Sequence, residues 1–415
     1  MNYYQDSIEK KIKSKASLSL FVIVLAFFLY FDPYFFQPIN SMIIFTILSL
    51  PLHNSRSLGY LKSFLFSKFI WLYFSIFLLS YFYVFFLVVI TATDDLSRFY
   101  LGLKMPVLMI FSASFASILY ERYGMVSHVQ LYGWLLSIQL LLVLLSVSDE
   151  VIQEFIRSLN DPDDYKKISS YGRYRGVSWA YNSFFGLAVL LSWMMLFIAV
   201  SEIKRKARPI VYLFLFFSVL VFSLIARTVF LVFIFFFLFF IISRSSQKFL
   251  FIRKNTFWLL LVFSAFCWVV YFYDIKDIAM FQRSFEILIN FMERGEVQTS
   301  STNLLYDMYF SVSTHTMIFG DGKYVNQDGS YYMGTDSGYM RSILYWGLIG
   351  FIPSFISQVL LIFYIFKGYR ERLIFLMFIL ILNIKGEVLS HHYALHFALF
   401  SLAFNSFISS RRGAK

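Results

Sequence analysis

The chain has 415 residues, of which 59% are hydrophobic and 22% aromatic, with 54 phenylalanines and only 14% charged positions. Its charges gather in short clusters between apolar runs of roughly 15 to 25 residues, the length a helix needs to cross about 30 Å of hydrocarbon. This pattern excludes a soluble domain, and runs such as VFLVFIFFFLFFII, which do not alternate, exclude a β-barrel.

The expected class is therefore all-α, a polytopic integral membrane protein. In chain order the apolar runs predict twelve spans, at 17–31, 39–53, 69–91, 99–119, 127–148, 183–201, 209–225, 228–243, 256–273, 341–366, 373–383 and 391–408. The first follows Lys10, Lys11, Lys13 and Lys15 and precedes the bulky turn DPYFFQP rather than a small-residue cleavage site. It reads as an uncleaved anchor with its N-terminus in the cytoplasm. Every second connector is then basic. The predicted cytoplasmic parts, 1–16, 54–68, 120–126, 202–208, 244–255, 367–372 and 409–415, hold 22 Lys/Arg against 5 Asp/Glu, and the remainder holds 14 against 19. Both termini are expected to be cytoplasmic, and the net charge of +12 expresses orientation in an anionic membrane, not a nucleic-acid partner. Cys267, the only cysteine, lies in a predicted span, so no intramolecular disulfide braces the outer loops.

The whole of 1–415 reads as one membrane domain with two long outer connectors, 149–182 and 274–340, the second between spans nine and ten. Cytoplasmic connectors are short, and no Gly-rich phosphate loop followed by Lys-Ser/Thr occurs. The substrate is expected on the outer face, and energy comes with it or from a gradient.

In the first outer connector an acidic half, SDEVIQEFIRSLNDPDD, precedes KKISSYGRYRGVSWAYNSFFG. Lys166, Lys167, Arg173 and Arg175 bring four cations to a side that otherwise excludes them. Guanidinium groups grip phosphate through paired hydrogen bonds and stay charged at any working pH; outer-leaflet lipid heads, or Asp161, Asp163 and Asp164, are the structural alternatives. Arg227, in SLIARTVFLVF, sits between two spans with almost no loop. A cation there costs up to about 2–3 kcal/mol towards the bilayer centre, so a lipid phosphate, a carboxylate or a substrate must offset it.

The large connector opens with an amphipathic pattern, DIAMFQRSFEILINFMERGE, then a second helical stretch, NLLYDMYFSVSTHTMIF, and a glycine-rich run ending in GTDSGYMRSILYWGLIG. Asp336 and Arg341 stand five residues apart at the mouth of a span, where Asp336 is read either as a helix cap or as a catalytic carboxylate. Lys385, Glu387, His391, His392 and His396 crowd the last outer turn, but adjacent histidines face different sides of a helix and no firm ligand set accompanies them, so no metal is expected.

These motifs in their order resemble a known group. RYRGVSWAYNSFFG resembles the Arg-Gly…Asn motif entering a span in the O-antigen polymerase and ligase superfamily, and Arg175 to Gly186 fits the Arg-x10-Gly spacing of Wzy-type O-antigen polymerases. ARTVFL is similar to the Ser-Arg-Thr that opens a later span there, and FGDGKY with TDSGYMRSILYWGLIG looks like the end of the large periplasmic loop and the span after it. The resemblance covers roughly 170–350. Two departures accompany it: ligases of the superfamily carry a loop His where this chain has the Asp336 region, which favours a polymerase, and Arg283 reaches Gly295 only across eleven intervening residues, so the second Arg-x10-Gly is absent.

The resemblance implies a glycosyltransferase of the bacterial inner membrane that joins undecaprenyl-diphosphate-linked oligosaccharide repeat units, as donor and acceptor, on the periplasmic face. It implies neither cofactor nor metal, membrane lipid as surroundings, and a chain-length regulator as a further partner. Arg173, Arg175, Arg227 and Arg341 are expected to neutralise the diphosphate, and Asp336 to take the acceptor's proton, with Glu293, Glu296, Asp307 and His315 as rivals for that role. Asn182 and Gly186 carry the motif, and Tyr339, with Tyr331 and Tyr332, is expected to stack on sugar. The large loop is expected to act as a lid. A ligase, or a flippase with its charges around a midplane cavity, are the competing classes.

Overall fold

The computed structural model describes residues 18–32, 41–93, 95–124, 127–158, 184–205, 208–243, 300–389 and 392–413, with isolated residues between 246 and 295. Most of these are helical and none lies in a strand, so the described residues form an all-α bundle, as expected. The helices are α1 (Leu20–Phe31), α2 (Ser41–Ser49), α3 (Ser55–Leu65), α4 (Lys68–Thr91), α5 (Ser97–Tyr123), α6 (Ser127–Ser148), α7 (Glu150–Ser158), α8 (Phe184–Arg205) and α9 (Pro209–Phe222). A 3-10 turn, Arg227–Phe230, leads into α10 (Leu231–Ile242), followed by α11 (Ser300–Asp307), α12 (Thr314–Phe319), α13 (Gly338–Ile365), α14 (Tyr369–Lys385) and α15 (Tyr393–Gly413).

Among the described residues five helices, α4, α5, α6, α8 and α13, are long and apolar enough to cross a membrane, and each coincides with a predicted span. At 24 residues α4 reaches about 36 Å, more than the hydrocarbon thickness. Its outer face stays bare: Trp71, Leu72, Leu79, Phe82, Phe86, Val89 and Ile90 are all exposed, as lipid-facing side chains must be in a chain viewed without its bilayer. By contrast α8 is buried nearly all round, with Leu191, Trp193, Met194 and Leu196 fully enclosed, and forms the centre of the bundle. Trp193 packs 4.7 Å from Phe375 of α14, which in turn stacks at 4.2 Å on Phe366. Helix α5 approaches α15 along small residues, Ser112, Ala113 and Ala116, and the Ser112 hydroxyl donates to the Phe397 carbonyl at 2.5 Å.

Helix α13 is two helical pieces joined at Gly347, whose φ of 58° and ψ of −176° only glycine adopts without strain. The break receives the end of α12. A Cβ on Gly347 would lie 2.4 Å from the Ile318 carbonyl oxygen, and one on Gly320 would lie 2.6 Å from the Gly347 nitrogen. Asp321 N–H donates to the Leu344 carbonyl at 2.6 Å, and the Tyr83 hydroxyl to the Phe319 carbonyl at 2.7 Å, so residues 319–321 are fastened into α13 and α4.

The second helical stretch of the large loop, 303–319, is interrupted. Helix α11 ends at Asp307, and α12 starts afresh behind Ser313, whose hydroxyl accepts from Thr316 N–H at 3.0 Å, a local cap that competes with continuing the first helix. Between them Tyr309 donates its hydroxyl to the Ile384 carbonyl at 2.9 Å, which draws the chain onto the end of α14. The amphipathic stretch predicted near 277–296 and the span at 256–273 fall almost wholly outside the described residues.

Candidate functional site

The turn between α4 and α5 supplies the first anchor. Asp95 accepts from Ser97 N–H at 3.2 Å and from its hydroxyl at 2.5 Å through one carboxylate oxygen, which starts α5. Its other oxygen accepts from the Tyr324 and Val325 N–H groups at 2.6 and 2.9 Å, and Thr93 donates to the Gly322 carbonyl at 2.8 Å. The glycine-rich end of the large loop is thereby fastened to the turn between α4 and α5.

The turn after α14 supplies the second. Asn383 accepts from Val388 and Leu389 N–H at 2.9 and 3.2 Å and so shapes residues 383–389. Gly338 opens α13 hard against this turn, since a Cβ there would lie 2.5 Å from the Gly386 carbonyl oxygen. Residues 336–341 are thus held beside Glu387 by backbone contact.

A compact charged group results. Arg98, in the first turn of α5, pairs with Glu387 at 2.7 Å, and the Tyr324 hydroxyl donates to the same carboxylate oxygen at 2.5 Å. The Arg98 guanidinium lies 3.5 Å from the centre of the Tyr324 ring and the Arg341 guanidinium 4.0 Å from it. Arg341 also lies 3.7 Å from the Tyr331 ring. Its side chain is 7% exposed, its Nε has no hydrogen-bond partner, and its ion pair is a long 3.4 Å contact to Asp336. A guanidinium held this deeply with so little compensation favours a further anion. Asp336 is half exposed, at 52%, yet desolvation by the surrounding protein pushes its pKa up to about 6, with Lys385 drawing it down and Glu387 raising it further. A carboxylate of that pKa is largely ionised at neutral pH and still basic enough to accept a proton.

The sequence-predicted residues fall out unequally. Asp336 and Arg341 are brought together; Asp336 does not cap α13, whose N-cap is Ser337. Arg173, Arg175 and Asn182 lie outside the described residues. Gly186 is in the first turn of α8, and its carbonyl accepts from His392 Nε2 at 2.7 Å, while Phe185 packs against Gly386, so the end of the Arg-x10-Gly stretch is docked on the turn that carries Glu387. His392 Nδ1 accepts from Leu395 N–H at 3.1 Å, which leaves neither ring nitrogen for a metal. Arg227 pairs with Glu286 at 2.5 Å, so a carboxylate of the large loop offsets its charge. Tyr339 turns inward and donates to the Leu380 carbonyl at 3.0 Å, whereas Tyr331 is exposed and covers Arg341.

Sequence reasoning missed Arg98, Asp95 and Tyr324. Arg98 carries the same signal as Arg173 and Arg175, a cation in a connector that the charge pattern assigns to the outer side, but a single one does not stand out. Glu387 was grouped with the histidines beside it. No protein-family model matches the chain, and neither a curated protein nor a solved structure matches it.

Proposed function

We propose that the chain is an O-antigen polymerase, a metal-independent glycosyltransferase of the bacterial inner membrane that joins undecaprenyl-diphosphate-linked oligosaccharide repeat units on the periplasmic face. The observation that carries this reading is Arg341, buried against two tyrosine rings, short of a full anionic partner, and next to a carboxylate with a pKa of about 6. In the proposed reaction the acceptor hydroxyl oxygen attacks the anomeric carbon of the donor repeat and its proton passes to Asp336. The bond from that carbon to the diphosphate oxygen breaks, and the charge left on the diphosphate is met by Arg341, with Arg98 behind it. Fixed cations at a developing charge are worth several kcal/mol where water is scarce. Tyr331 covers Arg341, so the diphosphate arrives from the Asp336 side or displaces that ring. Arg173 and Arg175 belong to the same site in this reading, because the stretch they precede ends at Gly186, against the Glu387 turn.

Twelve crossings with both termini in the cytoplasm complete the reading. Two groupings support it: Thr93, Asp95 and Arg98, with 320–325, 336–341 and 383–389, meet at one end of the bundle, all from parts that charge assigns outside. Residues near 128, 204, 367–371 and 405–409 meet elsewhere, close to parts that charge assigns inside.

The test is surface polysaccharide from a strain whose own copy is replaced by Arg341→Ala. Single repeats attached to the lipid core support a polymerase. Complete loss of surface glycan points to a ligase or flippase, and unchanged long ladders remove Arg341 from the chemistry.

A further inference from the structure

A second polar site lies where α6, α8, α14 and α15 meet, beside connectors that charge assigns to the cytoplasm. A half-open cavity of about 330 Å³ is lined there by Lys204, Lys367, Glu371, His128, Asn405 and Ser409, with Phe366, Phe375 and Leu402 as its apolar wall. Glu371 and Asn405 are each more than nine-tenths buried, yet Glu371 Oε2 and Asn405 Oδ1 have no hydrogen-bond partner. Glu371 Oε1 takes Lys204 at 2.5 Å. The Asn405 amide nitrogen donates to His128 Nδ1 at 2.6 Å, which leaves His128 Nε2–H to donate to the Ser401 hydroxyl at 2.6 Å, so the imidazole is neutral. Lys204 is about half exposed, and Lys367 is exposed at the mouth.

The site therefore offers two ammonium groups for an anion and an apolar wall, with two unpartnered acceptors sealed behind its lining. Its charge, from Lys204, Lys367 and Glu371, is one net positive. We propose that this cavity holds the phosphodiester headgroup of a phospholipid of the cytoplasmic leaflet, with the phosphate between Lys367 and Lys204 and the acyl chains along Phe366, Phe375 and Leu402. Phosphatidylglycerol matches both elements: one negative charge for the ammonium groups, and acyl chains that continue along the bundle. Basic pockets between helices on the cytoplasmic side are where anionic headgroups are expected to bind. The site is independent of the glycosyl transfer proposed for the other end.

Native mass spectrometry of the full chain in detergent, titrated with phosphatidylglycerol, tests this. The wild type retains one lipid at activation energies that strip the rest, and Lys367→Glu, an exposed position whose reversal does not threaten folding, weakens that binding roughly tenfold. Lys62→Glu, another exposed cytoplasmic-side lysine, leaves it unchanged. Equal loss in both variants, or in neither, overturns the site. A further arm adds soluble glycerol phosphate: no displacement at millimolar concentration supports a lipid ligand, whereas full displacement makes this a site for a soluble phosphate and overturns the lipid assignment.

Discussion

The phenol of Tyr324 donates to Glu387 at 2.5 Å, so a loop residue and an inter-helix turn 63 positions later are tied through one buried carboxylate. Removing only the hydroxyl, in Tyr324→Phe, keeps the ring between the arginines and leaves Glu387 with Arg98. The expected loss is about 1–3 kcal/mol of stability, the usual result of under-satisfying a buried charged acceptor. Thermal unfolding of the purified protein measures it, and an unchanged midpoint would mean the hydroxyl is not engaged.

Arg98 and Glu387 are 13% and 5% exposed, so neither charge is tolerated alone. Arg98→Ala is expected to destabilise by about 3–5 kcal/mol, because it strands a buried carboxylate. Combining Arg98→Leu with Glu387→Leu recovers part of that loss, since neither member of the pair is left without the other. A double variant as unstable as the sum of its single changes would show that the two residues are not coupled.

Gly347→Ala sets a Cβ 2.4 Å from the Ile318 carbonyl at a backbone conformation closed to alanine. Strain and overpacking together predict a loss of about 3 kcal/mol or more, while Gly59→Ala, with open space around it, stays close to the wild type. Equal midpoints for the two variants would mean that the break in α13 is not held as described.

Asp336 gives a pH dependence with a definite sign. Its pKa is raised from 3.8 to about 6, so between these values the folded chain binds more proton than the unfolded chain, and this group's contribution to stability falls as pH rises through about 6. The stability of Asp336→Asn relative to wild type should therefore climb from pH 4 to pH 6 and level off by pH 7. Exchanging the neutral carboxyl for an amide adds an offset that does not vary across this range, and the pairing of the ionised carboxylate with Arg341 is already contained in the pKa. A difference independent of pH would place the carboxylate at its ordinary pKa.

The membrane class was legible because hydrocarbon admits only long apolar helices at these lengths, and α4, α5, α6, α8 and α13 fall where the apolar runs predicted them. The pair Asp336 and Arg341 was legible because both lie in one short polar stretch before a span. Arg98, Asp95 and Tyr324 were not, since their roles arise only when three turns distant in sequence meet, and no local pattern encodes that meeting. The hydroxyl of Tyr339 is held by the Leu380 carbonyl of α14, a contact that its place in the sequence does not reveal. Arg227 has its carboxylate partner in Glu286, 59 residues away, which spacing does not reveal.

The most direct test is elongation by purified protein in lipid nanodiscs, supplied with undecaprenyl-diphosphate-linked repeat units, a chelator and no nucleotide. The wild type should convert single repeats into lipid-linked dimers and longer chains, and Arg341→Ala and Asp336→Asn should each slow this about a hundredfold or more, the scale of losing an electrostatic stabiliser or a general base. No elongation by folded wild-type protein, or full elongation by both variants, would contradict the account.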